Sequence, residues 1–376
     1  MKAIFRLIAL STVLLSTLTL RAQQGLEGIV VEKYYQANAA DVANATAQGA
    51  SPALTTNTIV YRIYVDMLPG YKFVQLYGNA AHPMSVTTTT NFYNDPNYNV
   101  ALNPGTISAT NITKHTAMLD SWFTTGGVAS GKVGVMKTED TDGALTNQQG
   151  ILANTSASCF GTPLQGNGAA DGFLSTSTGT YLVPSTLGLG SGVSYALSAL
   201  GSGTGSSIII NNGSIAALGG IVGPTSSNRV LVAQFTTDGI LTFNFNVQII
   251  NASTNVAQNY VYSNATGNEI SNASLSYTQT VPVITSSSTV SCSGAQVTMT
   301  SSVTSGIQWF KNNIAISGAT GGTFTTSTNP AGTYTVKLSC PNIISNGIVL
   351  TTGTNPTAPA TTVQSGALLL CGTGAQ

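Results

Sequence analysis

Charge is what this chain has least of. Lysine and arginine number 12 and aspartate and glutamate 12 in 376 residues, or 6% charged, against roughly 25% in an average soluble domain. The formal net charge is zero. No basic stripe exists, so the electrostatic footprint of nucleic-acid binding is missing. Histidine is nearly absent too: His82 and His115 are the only two. Neither sits beside a carboxylate in a motif, and Asp120-Ser121-Trp122 lacks the Gly-x-Ser-x-Gly frame of a serine nucleophile. After Glu269 there is no acidic residue at all, which leaves the C-terminal part without ordinary general acids and bases. The four cysteines include no C-x-x-C pair, so a cysteine-based zinc site is unsupported.

Residues with no charge fill the space. Hydrophobic residues make up 42% of the chain, and glycine alone accounts for 40 positions. Disorder goes with low hydrophobicity and high net charge. This composition instead fits a folded, neutral, hydroxyl-rich β protein. Its length points to more than one core.

The first residues, Met1 to Arg6, form a short basic start. Leu7 to Leu20 is apolar, and Arg21-Ala22-Gln23 places a small residue at a cleavage position. Residues 1–22 read as a secretory signal peptide. The apolar run is short for a transmembrane helix of about 20 residues, and no later segment is long and apolar enough to span a bilayer. No cysteine near the cut suggests a lipid anchor. Cleavage would leave nine basic and twelve acidic residues, a net of −3. The expected location is extracellular, either secreted or at the cell surface.

Leu26 to Tyr34 reads as a strand. In Tyr61 to Asp66, Tyr61, Ile63 and Val65 share one face. Tyr71 to Tyr77 follows a Pro69-Gly70 turn, and Met84 to Phe92 is threonine-rich and β-prone. Arg229 to Thr237 is another strand. Leu241 to Ile249 alternates apolar and polar over nine residues, the period of a half-buried strand. Asp238-Gly239 before it reads as a hairpin turn. Ala37 to Ala50 is a loop or one short helix. Residues 23–280 are therefore expected to form one large all-β domain, a two-sheet sandwich with long loops around Gly161 to Gly205.

From Val281 the texture changes to six or seven short strands with regular turns. "IQWFKNNIAISGAT" (307–320) and "GTYTVKLSC" (332–340) resemble the immunoglobulin-like modules repeated in tandem on secreted and surface proteins of Bacteroidota-type bacteria. The resemblance covers roughly 281–352 and implies a small immunoglobulin-like sandwich. In it, Trp309 corresponds to the buried tryptophan of the third strand and Tyr334 to the tyrosine-corner residue. Residues 353–360 read as a linker. Residues 361–376, with "LLLCGTGAQ" (368–376), look like the start of a second module, because "SCSGAQ" opens the first. The chain thus reads as a fragment of a longer protein, of a type that often ends in a type nine secretion domain. The stretches "TIVYRIYVDMLPGYKFVQLYG" and "NRVLVAQFTTDGILTFNFNVQI" resemble a β domain of such secreted proteins, a likeness that implies no activity.

In the immunoglobulin-like frame, Cys292 and Cys340 are the disulfide candidates. The same frame puts them near opposite ends of two strands that run in one direction. Six residues span about 20 Å, beyond the ~7 Å that a disulfide allows between Cα atoms. Cys159 is an alternative partner for Cys340, and Cys371 would pair outside this sequence.

Asn91 to Asn99 packs Phe92, Tyr93 and Tyr98 among Asn94, Asn97 and other turn formers. Exposed rings flanked by amides suit sugar faces, since the ring covers C–H groups and the amides bond hydroxyls. The alternative is a turn whose Phe92 and Tyr93 enter the core. Asp140 and Asp142 precede Gly143 and could offer hard oxygen ligands to Ca²⁺, although the full loop pattern is absent; no other cofactor is indicated. The expected function is binding or adhesion with spacer modules, toward carbohydrate or an extracellular matrix component. A secreted hydrolase acting on polysaccharide or peptide is the alternative. It requires a cleft where two of Asp66, Asp95, Asp120, Glu139, Asp140, Asp142 and His115 converge.

Overall fold

The computed structural model describes residues 24–51, 53–97, 104–112, 116–141, 171–175, 200, 205–292, 295–326, 330–339 and 343–353. The protein is all-β. The expected signal peptide and second module, and His115, Tyr98 and Asp142, lie outside the described residues.

The N-terminal domain is built on one central sheet. Its strands are β1 (Leu26–Gln36), β2 (Ile59–Met67), β11 (Arg229–Thr237) and β5 (Trp122–Phe123), in the order β1-β2-β11-β5. Against one face pack two further sheets. One is β10 (Gly213–Ile221), β3 (Tyr71–Gly78), β13 (Asn246–Asn251), β14 (Ala257–Val261) and β15 (Glu269–Ser271). The other is β16 (Ser276–Thr278), β12 (Thr242–Asn244), β4 (Met84–Thr87) and β9 (Ser207–Ile210). The core between them holds Tyr61, Ile63, Val65, Phe73, Val86, Phe235, Phe243 and Val247. This is the sandwich that the alternation predicted.

The opposite face of the central sheet is covered as well, which the sequence reading did not anticipate. Helix α1 (Ala39–Ala47) is capped by the Asn38 side chain, which accepts from the Ala40 and Asp41 N–H groups. With a small sheet of β6 (Gly127–Ala129), β7 (Lys132–Gly134) and β8 (Phe173–Ser175), it belongs to a second core. That core contains Tyr34, Val60, Tyr64, Trp122 and Leu231. Every residue of β2 is therefore buried, and Arg62 and Asp66 point into packed protein rather than water.

Two local expectations are corrected. Leu241 to Ile249 is not one strand. It breaks at Phe245, and β12 and β13 join different sheets. The period-two pattern survives the break because both halves face the same core. Asp238-Gly239 is not a hairpin turn either. β11 pairs with β2 and β5, while β12 pairs with β16 and β4. The dipeptide is a crossing between sheets. Gly239 is needed there for close approach: a Cβ would lie 2.4 Å from Thr88 Oγ1 and 2.6 Å from Thr90 Oγ1.

The second domain has two sheets. β17 (Ile284–Ser286), β19 (Thr298–Ser301) and β22 (Thr323–Thr325) form one. β18 (Val290–Cys292), β24 (Ile348–Gly353), β23 (Gly332–Leu338), β20 (Ile307–Lys311) and β21 (Ile314–Ala315) form the other, in that order. The first strand is split between the sheets, and its second part runs parallel to the last strand. This is an immunoglobulin-like sandwich. Trp309 is fully buried, and its Nε1 donates to the Gly321 carbonyl at 2.8 Å. Phe324 lies between the Trp309 and Tyr334 rings, 5.7 and 6.0 Å away. The Cys292 side chain and all of Cys340 lie outside the described residues.

Candidate functional site

Most carboxylates in the first domain already have a structural occupation. Glu32 stands opposite Arg62 across the β1/β2 ladder, and Gln234 opposite it across β11/β2. The Arg62 Nε donates to Gln234 Oε1 at 3.0 Å, and one terminal nitrogen donates to the Gly172 carbonyl at 3.0 Å. Glu32 accepts from the Tyr64 hydroxyl and the Lys137 N–H, both at 3.0 Å. Burial raises its carboxyl above the usual range, with Arg62 opposing. Burial pulls the Lys137 ammonium down to about 8. Burial, then the neighbouring Asp140, lifts the Asp171 carboxyl to about 8. Arg229 bridges Asp66 at 3.0 Å and Glu139 at 2.8 Å.

A second set holds the loop over the outer core. Asp95 accepts from the Thr116 N–H at 3.0 Å, the Thr116 hydroxyl at 2.8 Å and the Asn97 N–H at 2.9 Å. Asp120 accepts from the Asp95 N–H. Burial raises its carboxyl well above the ordinary range. Asp95 and Asp120 do converge, as the hydrolase alternative requires, but both are fully buried. Asp66 and Glu139 converge as well, on a guanidinium.

The aromatic platform anticipated at residues 92–98 is corrected in the same region. Phe92 and Tyr93 are buried. The Phe92 ring packs 5.5 Å from Phe235, and the Tyr93 hydroxyl lies 2.6 Å from Thr116 Oγ1. Asn94 is buried as well, accepting from the Ser121 N–H and donating to the Leu200 carbonyl. Asn97 is exposed and donates to Gln48. The hydrophobic gain from burying two rings outweighs their display to solvent. Asp140, the calcium candidate, accepts from the Gly172 N–H at 2.8 Å. Among the described residues no group of three or more histidine, cysteine or acidic side chains could hold a metal.

Among the described residues, an open concavity lies elsewhere, where the two domains meet. A cleft of about 250 Å³ has a polar side of Asn57, Thr89, Thr90, Asp238 and Gln279. Its apolar side is Ile59, Ile240, Val281, Ile343 and Ile344. A hollow of about 170 Å³ shares Thr90 and Asp238 with it, and there Asn91 and Tyr93 contribute to the wall. Of the predicted ligand residues that are described, Tyr93 alone is brought to this place. The sequence reading missed Asp238 and Gln279. The sheet crossing at Asp238-Gly239, read as a hairpin, builds the floor.

The cleft is held from behind by hydrogen bonds. The Ile240 N–H donates to Thr89 Oγ1 at 2.9 Å, and the Leu241 N–H to Gln279 Oε1 at 3.1 Å. Thr90 and Thr237 hydroxyls are 3.0 Å apart, and Thr237 and Thr88 hydroxyls 2.7 Å. Thr55 donates to Asp238 Oδ2 at 3.2 Å.

No family model matches the chain, and no curated protein matches it. Among solved structures, the crystal structure of murine CEACAM1b is similar over 38% of this chain and 73% of that one, at 17% identity and a TM-score of 0.19. The full ectodomain of mouse nectin-like molecule 4 is similar over 37% and 51%, at 14% identity and a TM-score of 0.19. The class rests on the sheets themselves: an all-β protein with an immunoglobulin-like module after a larger sandwich. No helix among the described residues is long and apolar enough to cross a membrane.

Proposed function

We propose that this is an exported binding or adhesion protein of the cell surface or extracellular space. The N-terminal sandwich supplies the polar contacts to the ligand, and the immunoglobulin-like module acts as a spacer. The observation that supports it best is where the polar groups go. Arg62, Asp66, Asp95, Asp120 and Asp171 are buried and serve the fold, while the open cleft offers amides, hydroxyls and one exposed carboxylate. Such a lining suits recognition by hydrogen bonds. Stacked modules of this kind supply reach rather than catalysis. The leader-like N-terminus supports export.

The test has two arms. The chain is expressed with residues 1–22 in a Gram-negative host, and the exported product is sequenced from its N-terminus. The purified protein is then sedimented with insoluble polysaccharides and with matrix proteins, and released sugars and peptides are measured. Export and co-sedimentation without release are expected. Retention in the cytoplasm, release of product, or a protein that stays in every supernatant would overturn the reading.

A further inference from the structure

We infer that the cleft at the domain junction is a saccharide site, with Asp238 and Gln279 as its polar anchors. The inference rests on the binding role proposed above and adds to it the place and the ligand class.

The hydrogen bonds behind the cleft decide which valences remain in front. Thr89 Oγ1 accepts from the Ile240 N–H, so its own O–H is left to donate. Gln279 is 5% exposed, and its Oε1 is taken by the Leu241 N–H. Gln279 belongs to the cleft lining, and its amide nitrogen has no hydrogen-bond partner among the described residues. Asp238 is exposed, and Thr55 engages Oδ2. That leaves Oδ1 as an acceptor. The cleft lining therefore holds both donors and a carboxylate acceptor. A hydroxyl group answers both, because it donates and accepts at one atom. The hydroxyls of a sugar ring match such a mixture of carboxylate and amide.

The charge balance narrows the class. Asp238 is the one ionisable group among the described residues of the cleft lining, so an anionic ligand would meet repulsion. The isoleucine side of the cleft, with Val281, offers apolar contact to the C–H face of a ring. Neighbouring hollows of about 250 and 170 Å³ together reach the range of small-molecule sites, roughly 300–1,000 Å³. The second hollow extends the first past Thr90 and Asn91, which fits a chain of sugars better than a single ring. A lysine-bearing peptide would also satisfy Asp238, but it would leave the Gln279 and Thr89 donors to seek other acceptors.

The experiment uses the mature chain and four neutral hexasaccharides built from glucose with β-1,4 or α-1,4 linkages, from mannose and from xylose. A hexalysine peptide is the comparator. Saturation-transfer NMR detects contact, and titration calorimetry gives the affinity. The variants are Asp238→Ala and Asn57→Ala, both at exposed positions, with Lys33→Ala on β1, outside the cleft lining, as the control. At least one hexasaccharide should bind. Asp238→Ala should weaken it about tenfold or more, the effect of losing a hydrogen bond to an ionised group. Asn57→Ala should weaken it less, and Lys33→Ala not at all. A sugar bound equally well by the Asp238 and Asn57 variants overturns the cleft while leaving the binding role standing. Hexalysine bound through Asp238 with no sugar bound overturns the saccharide class. If none of these probes binds, the inference falls. The sedimentation assay then decides separately whether the binding role falls with it.

Discussion

The Arg62 guanidinium lies 3.5 Å from the centre of the Tyr34 ring, stacked in the covered layer of the central sheet. Phe173 sits on it as well, at 4.7 Å. The stack closes over a charge that has no water. Arg62 thereby joins β1, β2, β11 and the Gly172 loop into one unit. Gly172 has φ +80°, and a Cβ there would come within 2.6 Å of the guanidinium.

Removal of this charge should be costly. Arg62→Ala leaves Glu32 without its opposite number and should destabilise the first domain by about 3–5 kcal/mol. Arg62→Lys keeps the charge but loses the planar stack and the fork of donors, so it should also destabilise. Urea unfolding followed by tryptophan fluorescence checks both, since Trp122 is in the same core. A lysine variant as stable as the parent would contradict the stacking role.

Stability should depend on pH through Asp171. Its carboxyl is raised from 3.8 to about 8, so the folded state holds a proton there that the unfolded state releases. Between those values the folded state binds more protons, and this group's contribution to stability falls as pH rises. Asp171→Asn keeps a neutral polar group and should flatten the slope of stability against pH in that window. Lys137 acts the other way. Its pKa is lowered from 10.5 to about 8, so its contribution rises with pH between the two. Melting temperatures of Asp171→Asn and Lys137→Met from pH 4 to 10 separate the effects.

Gly239→Ala should strike fold and cleft together. The added methyl group would collide with Thr88 and Thr90, whose hydroxyls join the Thr237 bonds behind the cleft. Overpacking of this kind costs about 1–3 kcal/mol. Sugar binding should fall with it, while the neighbouring exposed substitution Asp238→Ala should leave the melting temperature nearly unchanged. Calorimetry on the pair distinguishes damage to the frame from loss of a contact.

Trp309→Ala should unfold the small module alone. Truncating a buried tryptophan costs about 3–5 kcal/mol, comparable with what a single small core supplies. The two domains have separate hydrophobic clusters. Limited proteolysis should therefore cut within 281–353 and spare 24–280. A variant that loses both domains together would show that they fold as one unit.

Strand identity was legible where local chemistry repeats. The strand read at Arg229 to Thr237 matches β11 at both ends. Trp309, with Ile307 and Val336, lies in the core of the second domain. The covered outer face was less legible, although a trace was present. Ile59 to Met67 is apolar or aromatic at both alternating sets of positions, the mark of a strand buried on two sides. Val60 and Tyr64 carried that signal, and Arg62 and Asp66 hid it. The cleft left no local trace. Asp238 and Gln279 are distant in sequence, and neither lies in a motif.

The sequence by itself determined the class. Neutral hydroxyl-rich alternation favours twisted sheets with one greasy face, because side chains on a strand point to opposite sides. Tertiary structure alone decided which faces meet, which charges are sealed away, and where the chain leaves one sheet for another at Asp238-Gly239. Period two records the side of a strand on which a residue sits, but not what lies against that side; only the packing of distant segments supplies it.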